Sequence, residues 1–499
     1  MFSAKIIKGN KIEILTDDPT VENFLKGDLD ESGYNVWTKK FGAYKTTVHI
    51  FERGRHNLGG GKFKYILGLG WAAYVMSAFS NVISLDDWTC LRNAITSSEY
   101  RDIPFPNLRD YQNSDVLFLL KYKIGLFQVN TSYGKTETIA TLANYFVGSG
   151  KRVLLVTPGN KARDELIKRA KLRFSLEVSK DLGEPICCII TSGILRRKEN
   201  KGDSGIQQME TVLASYDVVL VDEVEYTINP SGEFIYSKLV NATNFYGFSG
   251  TADKYTGAAV TFAQGLSDTV LKNRNLIKYF GPALVFRLPL NMSIDDIVVN
   301  SRALDNLVLD NEAIESAGNV YGEIMNQLWT DPDVCETIVK IVKRFPKTFI
   351  PMNNLVTILD GWINNYFIGT FRILLVCGKG YIYYDLEGNK KSLTLTEACD
   401  YIKNDLVDVI PSTAAGYRAL DFPGLENILL CIGKVAGVVL QAIGRTARGK
   451  HMNVITLASG RGRIIPVYTK GANERNEMLR KYYKFCDIET TYINDDILC

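Results

Sequence analysis

Histidine is scarce in this chain: three residues in 499. Nine cysteines are scattered along it, Cys187 and Cys188 side by side, and none forms a C-x-x-C pair. A Cys/His zinc centre is therefore not expected, and the cysteines read as reduced thiols of an intracellular protein. No apolar run approaches the ~18 residues of a membrane-spanning helix. The start, Met1-Phe-Ser-Ala-Lys5, lacks the charged-then-apolar order of a secretion signal. These absences predict a soluble, cytoplasmic chain. An excess of one charge is missing too, since 58 Lys and Arg face 55 Asp and Glu. Any nucleic-acid surface must then be local. The chain shows no internal repeat and no low-complexity tract. What is present is ordinary for a globular protein, 46% hydrophobic and 23% charged. The length exceeds what one core fills, so several domains are expected.

The chain is organised around Gln128-Val-Asn-Thr-Ser-Tyr-Gly-Lys-Thr-Glu137. An apolar run, Ile124 to Phe127, precedes it and a helical pattern, Glu137 to Tyr145, follows. A strand, a tight turn and a helix opening on Gly134-Lys-Thr136 place backbone N–H groups and the positive end of a helix dipole at one point, which suits phosphate. Lys135 would reach the β and γ phosphates and the Thr136 hydroxyl would ligate magnesium. Thr131, Ser132, Tyr133 and Glu137 complete the stretch. The full phosphate-loop pattern has a glycine where this chain has Val129, and a surface turn before a helix has the same local look.

Residues ahead of this stretch include a basic, aromatic segment from Lys39 to Tyr65. Lys39, Lys40, Arg53 and Arg55 alternate there with Phe41, Tyr44 and Phe51, against a single acid, Glu52. Such a mix suits phosphate contacts with base stacking. A small α+β domain with a solvated basic face is the alternative. Ile6 to Leu15 suggests a hairpin across Gly9-Asn10, and Ile103-Pro-Phe-Pro106 marks a boundary. After it, Arg109 and Gln112 precede the phosphate stretch. A glutamine amide there can pair both edges of adenine.

Downstream, Val153 to Val156 reads as a buried parallel strand ending in Thr157-Pro158, and Ile186 to Ile190 as another ending at Thr191. Tyr216 to Glu225 contains a buried strand with Asp222-Glu223 at its carboxyl end. One acid there can hold Mg²⁺ and a second can polarise water. A further strand ends in Ser249-Gly-Thr251, whose hydroxyls would link the nucleotide site to a second domain. Strands alternating with helices argue for a doubly wound α/β domain, with ligands at the carboxyl ends of the strands. Residues 286–330 are acidic and read as a connector with some helix. More strands follow at Pro346–Pro351, Phe371–Cys377, Leu406–Ser412 and Ile428–Ile432. Then comes Leu440 to Arg448, where Gln441, Arg445 and Arg448 share one helical face. Two arginines so placed suit a γ-phosphate contact.

This ordered set resembles superfamily 2 DExH/D-box helicases over roughly Leu108 to Arg448. Arg109, Tyr111 and Gln112 are similar to the adenine motif, and Thr131 to Thr136 to motif I. Thr157-Pro158, Asp222-Glu-Val-Glu225 and Ser249-Gly-Thr251 are similar to motifs Ia, II and III. Thr413 to Asp421 and Gln441 to Arg448 are similar to motifs V and VI. The chain departs from the usual pattern at Ser132, Glu225 and Ala419. Within the superfamily, Asp30 to Phe51 is similar in kind to the small basic domain that precedes the motor in phage UvsW-like DNA helicases. A phage source would place the chain in the bacterial host cytoplasm.

The resemblance implies two RecA-like parallel-sheet α/β motor domains and a small N-terminal α+β accessory domain. The expected divisions are 1–97, 98–285, a connector at 286–330, and 331–499. It implies ATP and Mg²⁺, with Lys135, Thr136 and Asp222 on phosphate and metal and Glu223 on the attacking water. Gln441, Arg445 and Arg448 would act on transition-state charge and Asp421 on the ribose. Thr157, Pro158, Thr191 and Thr413 would grip nucleic acid. The expected activity is an ATP-dependent helicase or translocase on forked or branched DNA. An RNA or RNA–DNA hybrid helicase, and a degenerate motor kept as a nucleic-acid-binding module, are the alternatives.

Overall fold

In the computed structural model, residues 2–7, 11–24, 34–38 and 44–48 are described, then most of 56–250 and 279–459, and finally 480 and 486–498. Within the longer stretches 192–201, 288–292, 414–423 and 432–450 apart from Ile443 are not described, nor are some shorter pieces. The chain divides into two units, Met1–Val129 with Gly134–Arg287, and Asn130–Tyr133 with Leu288–Cys499.

The first unit holds two sheets and a separate hairpin. Strands β1 (Phe2–Ile7) and β2 (Lys11–Thr16) form the antiparallel hairpin expected around Gly9-Asn10. Among the described residues the strands β3 (Tyr34–Thr38) and β4 (Tyr44–Val48) pair only with each other, and β5 (His56–Asn57) and β6 (Phe63–Gly68) complete a sheet of order β1-β2-β6-β5. Glu13 on β2 is buried between Lys5, at 2.8 Å, and Lys64. Hydrogen bonds from Lys5 and Lys64 hold its carboxyl below the usual range, against the upward pull of burial.

The larger sheet contains β7 (Ile124–Val129), β8 (Val153–Thr157), β9 (Cys187–Thr191), β10 (Val218–Val221), β11 (Asn244–Ser249) and β12 (Ala283–Arg287). Its order is β12-β7-β11-β10-β8-β9, with every pairing parallel. All residues of β7 to β11 are buried, which explains their largely apolar character, with polar residues mostly at the strand ends. One hydrophobic core serves both sheets: Ile12, Ile14, Leu67 and Trp71 belong to the same cluster as Leu126, Val156, Val221 and Phe280.

The second unit is built on a nine-stranded sheet. Its strands are β13 (Ser293–Asn300), β14 (Thr348–Pro351), β15 (Ile373–Cys377), β16 (Gly380–Tyr384), β17 (Lys390–Leu393), β18 (Val409–Ser412), β19 (Asn427–Leu429), β20 (His451–Ala458) and β21 (Asp487–Asn494). The order is β17-β16-β15-β18-β14-β19-β20-β13-β21, and only the pairings of β16 are antiparallel. Residues 286–330 are not the irregular connector that their acidity suggested. They include β13, which is paired in full register with β20 on one side and β21 on the other. Asp295-Asp296 hid an apolar strand: Asp296 is itself buried, accepts a hydrogen bond from Thr490 at 3.2 Å, and has its carboxyl raised by that burial. Helices at Arg302–Asn306, Asn311–Ser316 and Val320–Thr330 follow.

Among the described residues no helix is long and apolar enough to cross a membrane. All eight described cysteines are free thiols. Burial pushes Cys187 up to about 12 and Cys188 to about 11, so neither is a ready nucleophile.

Candidate active site

The helix Lys135–Gly148 starts directly after Gly134, which is left-handed at φ 94°. Glycine adopts this conformation without strain. A side chain there would also collide with Gln112, whose Nε2 lies 2.7 Å from where a Cβ would stand. Gln112 is buried and held in place, because its Oε1 accepts the Arg109 N–H at 2.9 Å at the start of the helix Asp110–Leu119. Arg109 is exposed and donates from Nη1 to the Tyr111 hydroxyl at 2.8 Å. The residues expected to read adenine therefore abut the turn expected to hold phosphate.

Lys135 is buried, and Thr136 and Glu137 are half-buried. The Lys135 ammonium lies 3.2 Å from Oε1 of Glu223. The pair is close enough to be ionic but is not aligned as a hydrogen bond, and Glu223 Oε2 has no partner among the described residues. Asp222 and Glu223 follow β10. The Asp222 N–H donates to Val156 O at 2.9 Å, and Asp222 Oδ1 accepts the Glu223 N–H at 3.0 Å. Glu223 is left-handed at φ 46°, rare for a residue with a side chain and costly unless its surroundings fix it. That conformation accompanies the approach of its carboxylate to Lys135.

Glu137 has turned elsewhere. Its carboxylate lies 3.4 Å from Arg173 and 3.9 Å from Arg169, both on the helix Asn160–Phe174. Tyr133 is buried. Thr157 and Thr191 stand side by side in the register of β8 and β9, both buried, with Pro158 half-buried next to Thr157. Ser249 is fully buried at the end of β11, which lies between β7 and β10. In the second unit Thr413 is buried just after β18. Thr131, Ser132, Glu225, Thr251, Asp421, Gln441, Arg445, Arg448, Lys39, Lys40, Arg53 and Arg55 lie outside the described residues.

One polar residue of this edge escaped the sequence reading. Gln128, on β7 just before the turn, is 2% exposed, and its Oε1 has no partner among the described residues. Its signal was a lone amide in an otherwise apolar strand. A cavity of about 560 Å³ lies at the opposite, amino end of the same sheet, lined by Tyr100, Lys123, Tyr145 and Lys151 among others. It is distinct from the Lys135 turn.

The fit to a nucleotide with a divalent cation is good on local grounds. A glycine turn at a helix start, a buried lysine, and two acids at the carboxyl end of β10, a parallel strand of the same sheet, converge on one edge. No group of three or more metal-ligating side chains stands together among the described residues. A cation here would therefore rest on Thr136 and Asp222 together with phosphate oxygens, as magnesium does.

No family model matches the sequence, and no curated protein matches it. Solved structures do. The chain is similar to the crystal structure of UvsW from bacteriophage T4, at 13% identity and a TM-score of 0.39, over 99% of each chain. It is similar to Dbp5 of S. cerevisiae, solved with RNA and ADP BeF3, at 12% identity and a TM-score of 0.48, over 78% of this chain and 90% of that one. It is also similar to the Mycobacterium smegmatis helicase Lhr, solved with single-stranded DNA and AMP-PNP, at 14% identity and a TM-score of 0.42. That match covers 78% of this chain and 49% of the other.

Proposed function

We propose that the chain is a nucleic-acid-stimulated ATPase that works as a helicase or translocase. The observation that carries this reading is the approach of Lys135 to Glu223, 3.2 Å apart, at a helix start preceded by left-handed Gly134. The backbone N–H groups from Gly134 to Thr136 would take phosphate, and Gln112 and Arg109 the adenine. Thr136 and Asp222 would hold Mg²⁺, which supplies charge neutralisation at the phosphates. Lys135 would move from Glu223 to a phosphate oxygen. The Glu223 carboxylate, relieved of that partner, would accept a proton from the attacking water. Arg445 and Arg448 carry the stabilisation of transition-state charge in this reading, with Gln441 beside them and Asp421 on the ribose. Thr157, Thr191 and Thr413 would hold the nucleic-acid backbone, and Ser249 and Thr251 would relay the state of the nucleotide.

The substrate we favour is forked or branched DNA. Its support is the basic, aromatic segment from Lys39 to Tyr65 and the residues that this segment shares in kind with UvsW-like helicases. Steady-state ATPase with no nucleic acid, single-stranded DNA, forked DNA, a four-way junction and single-stranded RNA tests the proposal. Strongest stimulation by forks or junctions is expected. Strongest stimulation by RNA would replace this substrate with the RNA reading. No stimulation of a folded protein by any of them would leave a binding module without a motor.

A further inference from the structure

Gln128 occupies a place where an amide is hard to account for by packing. Its neighbours along β7, Phe127 and Val129, are fully buried, as Gln128 nearly is. The carboxamide oxygen meets no donor among the described residues. A leucine or methionine of similar volume would fill the space without removing an acceptor from water. In parallel register Gln128 stands opposite Ser249 of β11, and two residues earlier Leu126 stands opposite Gly247. A Cβ on Gly247 would touch both Leu126, at 3.1 Å, and Phe280, at 3.2 Å, so this face of the sheet packs on Phe280. Side chains two apart on a strand share a face. Gln128 and Ser249 therefore lie next to each other on that face, at the carboxyl edge. Gln128 leads into the turn that carries Lys135, and Ser249 leads into Gly250-Thr251.

We infer that Gln128 is a positioning residue whose carboxamide oxygen accepts the Ser249 hydroxyl when nucleotide engages the Lys135 turn, tying that turn to the end of β11. The inference rests on the proposed ATPase for its consequence, the coupling of hydrolysis to strand separation. The contact itself is independent of turnover. Gln128 touches no reacting atom and sets where Ser249 points.

The test compares wild type, Gln128→Leu, Gln128→Glu, Ser249→Ala and the Gln128→Leu/Ser249→Ala double variant. Without nucleotide, Gln128→Leu should melt at or above the wild-type temperature, since an orphaned acceptor has been removed. With AMP-PNP and Mg²⁺ the wild type should gain more thermal stability than Gln128→Leu, and the two single variants should be non-additive. Gln128→Glu, which keeps an acceptor oxygen, should recover part of the gain. In turnover, Gln128→Leu should keep KM for ATP and kcat within roughly threefold while strand separation per ATP falls about tenfold. A clear loss of melting temperature without nucleotide would show a satisfied structural amide and overturn the inference. So would equal AMP-PNP shifts in wild type and Gln128→Leu, or hydrolysis and strand separation falling in proportion. If the wild type hydrolyses no ATP, the proposed function fails on that result, and the AMP-PNP shifts alone decide the Gln128–Ser249 contact.

Discussion

Arg152 and Asp217 stand just ahead of two neighbouring strands in the first unit, and Arg372 and Asp408 stand just ahead of two in the second. The backbone geometry is the same in both. Each aspartate carboxylate accepts the arginine N–H at 2.8 Å. Each aspartate N–H returns a bond to the arginine carbonyl, at 2.9 and 2.8 Å. The side chains differ. Arg372 makes a bidentate pair with Asp408, at 2.6 and 3.0 Å. Arg152 bonds the Gly183 carbonyl instead, at 3.2 Å, and lies 5.3 Å over the Tyr216 ring. Closing the first N–H of a buried strand is what the fold requires; where the guanidinium goes is open.

The correspondence reaches the other edge. Asp222 donates its N–H to Val156 and Thr413 donates to Val376, both at 2.9 Å. Each stands five positions after its aspartate of the pair. One scaffold thus ends in an acid, Asp222, next in sequence to the Glu223 that approaches Lys135, in the first unit and in a hydroxyl in the second. The amino edges are matched because they satisfy backbone groups. The carboxyl edges share the backbone bond but differ in the side chain that follows it, Asp222 in one unit and Thr413 in the other.

The largest effect should come from Lys135→Ala, which removes the buried cation at the working edge. Steady-state ATPase should fall on the order of 10³-fold, while nucleic-acid binding by anisotropy stays near wild type. Retained hydrolysis would break the assignment of that edge. Asp222→Thr sharpens the comparison by giving the first unit the second unit's tip. Hydrolysis should fall on the order of 10²-fold with the melting temperature little changed, because the N–H bond to Val156 survives.

At the amino edges the outcome reverses. Asp217→Ala and Asp408→Ala should each lose about 1–3 kcal/mol in denaturant unfolding, the second more than the first, with KM for ATP unaltered. A change in KM from Asp217→Ala would erase the division between the edges. The smallest effect is one of pH. Burial would raise the Asp408 carboxyl, but hydrogen bonds from the Arg372 side chain and backbone outweigh it and hold the carboxyl below its usual range. Its folded value lies beneath the unfolded one, so its contribution is complete above about pH 4 and disappears as pH falls further. Asp408→Asn should flatten the stability profile in that acid window. An unchanged profile would mean that other carboxylates dominate it.

Much of this was legible in the sequence where consecutive residues carry the message. Gly134-Lys-Thr136 announces the helix start and Asp222-Glu223 the strand end where they occur, and the buried strands β7 to β11 were visible as apolar runs. Partners far apart in sequence were not legible: Arg152 with Asp217, Arg372 with Asp408, Glu137 with Arg173. Strand β13 was masked by two acids, one of them buried. The π-helix Thr357–Phe367, with the Ile368 N–H bonded to the Ile363 carbonyl, has a period that no 3.6-residue pattern reveals. At the site, Gln112 was named for adenine, but its contact with Gly134 needed coordinates.

The single core beneath both sheets of the first unit has a consequence for how the protein is made. Ile12, Ile14, Leu67, Trp71 and Phe79 share that core with Phe245 and Phe280. During synthesis the N-terminal strands leave the ribosome long before those partners exist. At about 5–20 residues per second, the interval from Phe79 to Phe280 lasts roughly 10–40 s. Throughout it that core holds Val75, Leu91 and Ile95 but still lacks the side chains from Leu126 to Phe280 that complete it. Chaperone demand should therefore peak early in translation, and a nascent chain stalled before Phe245 should be far more prone to aggregate than one stalled after Phe280.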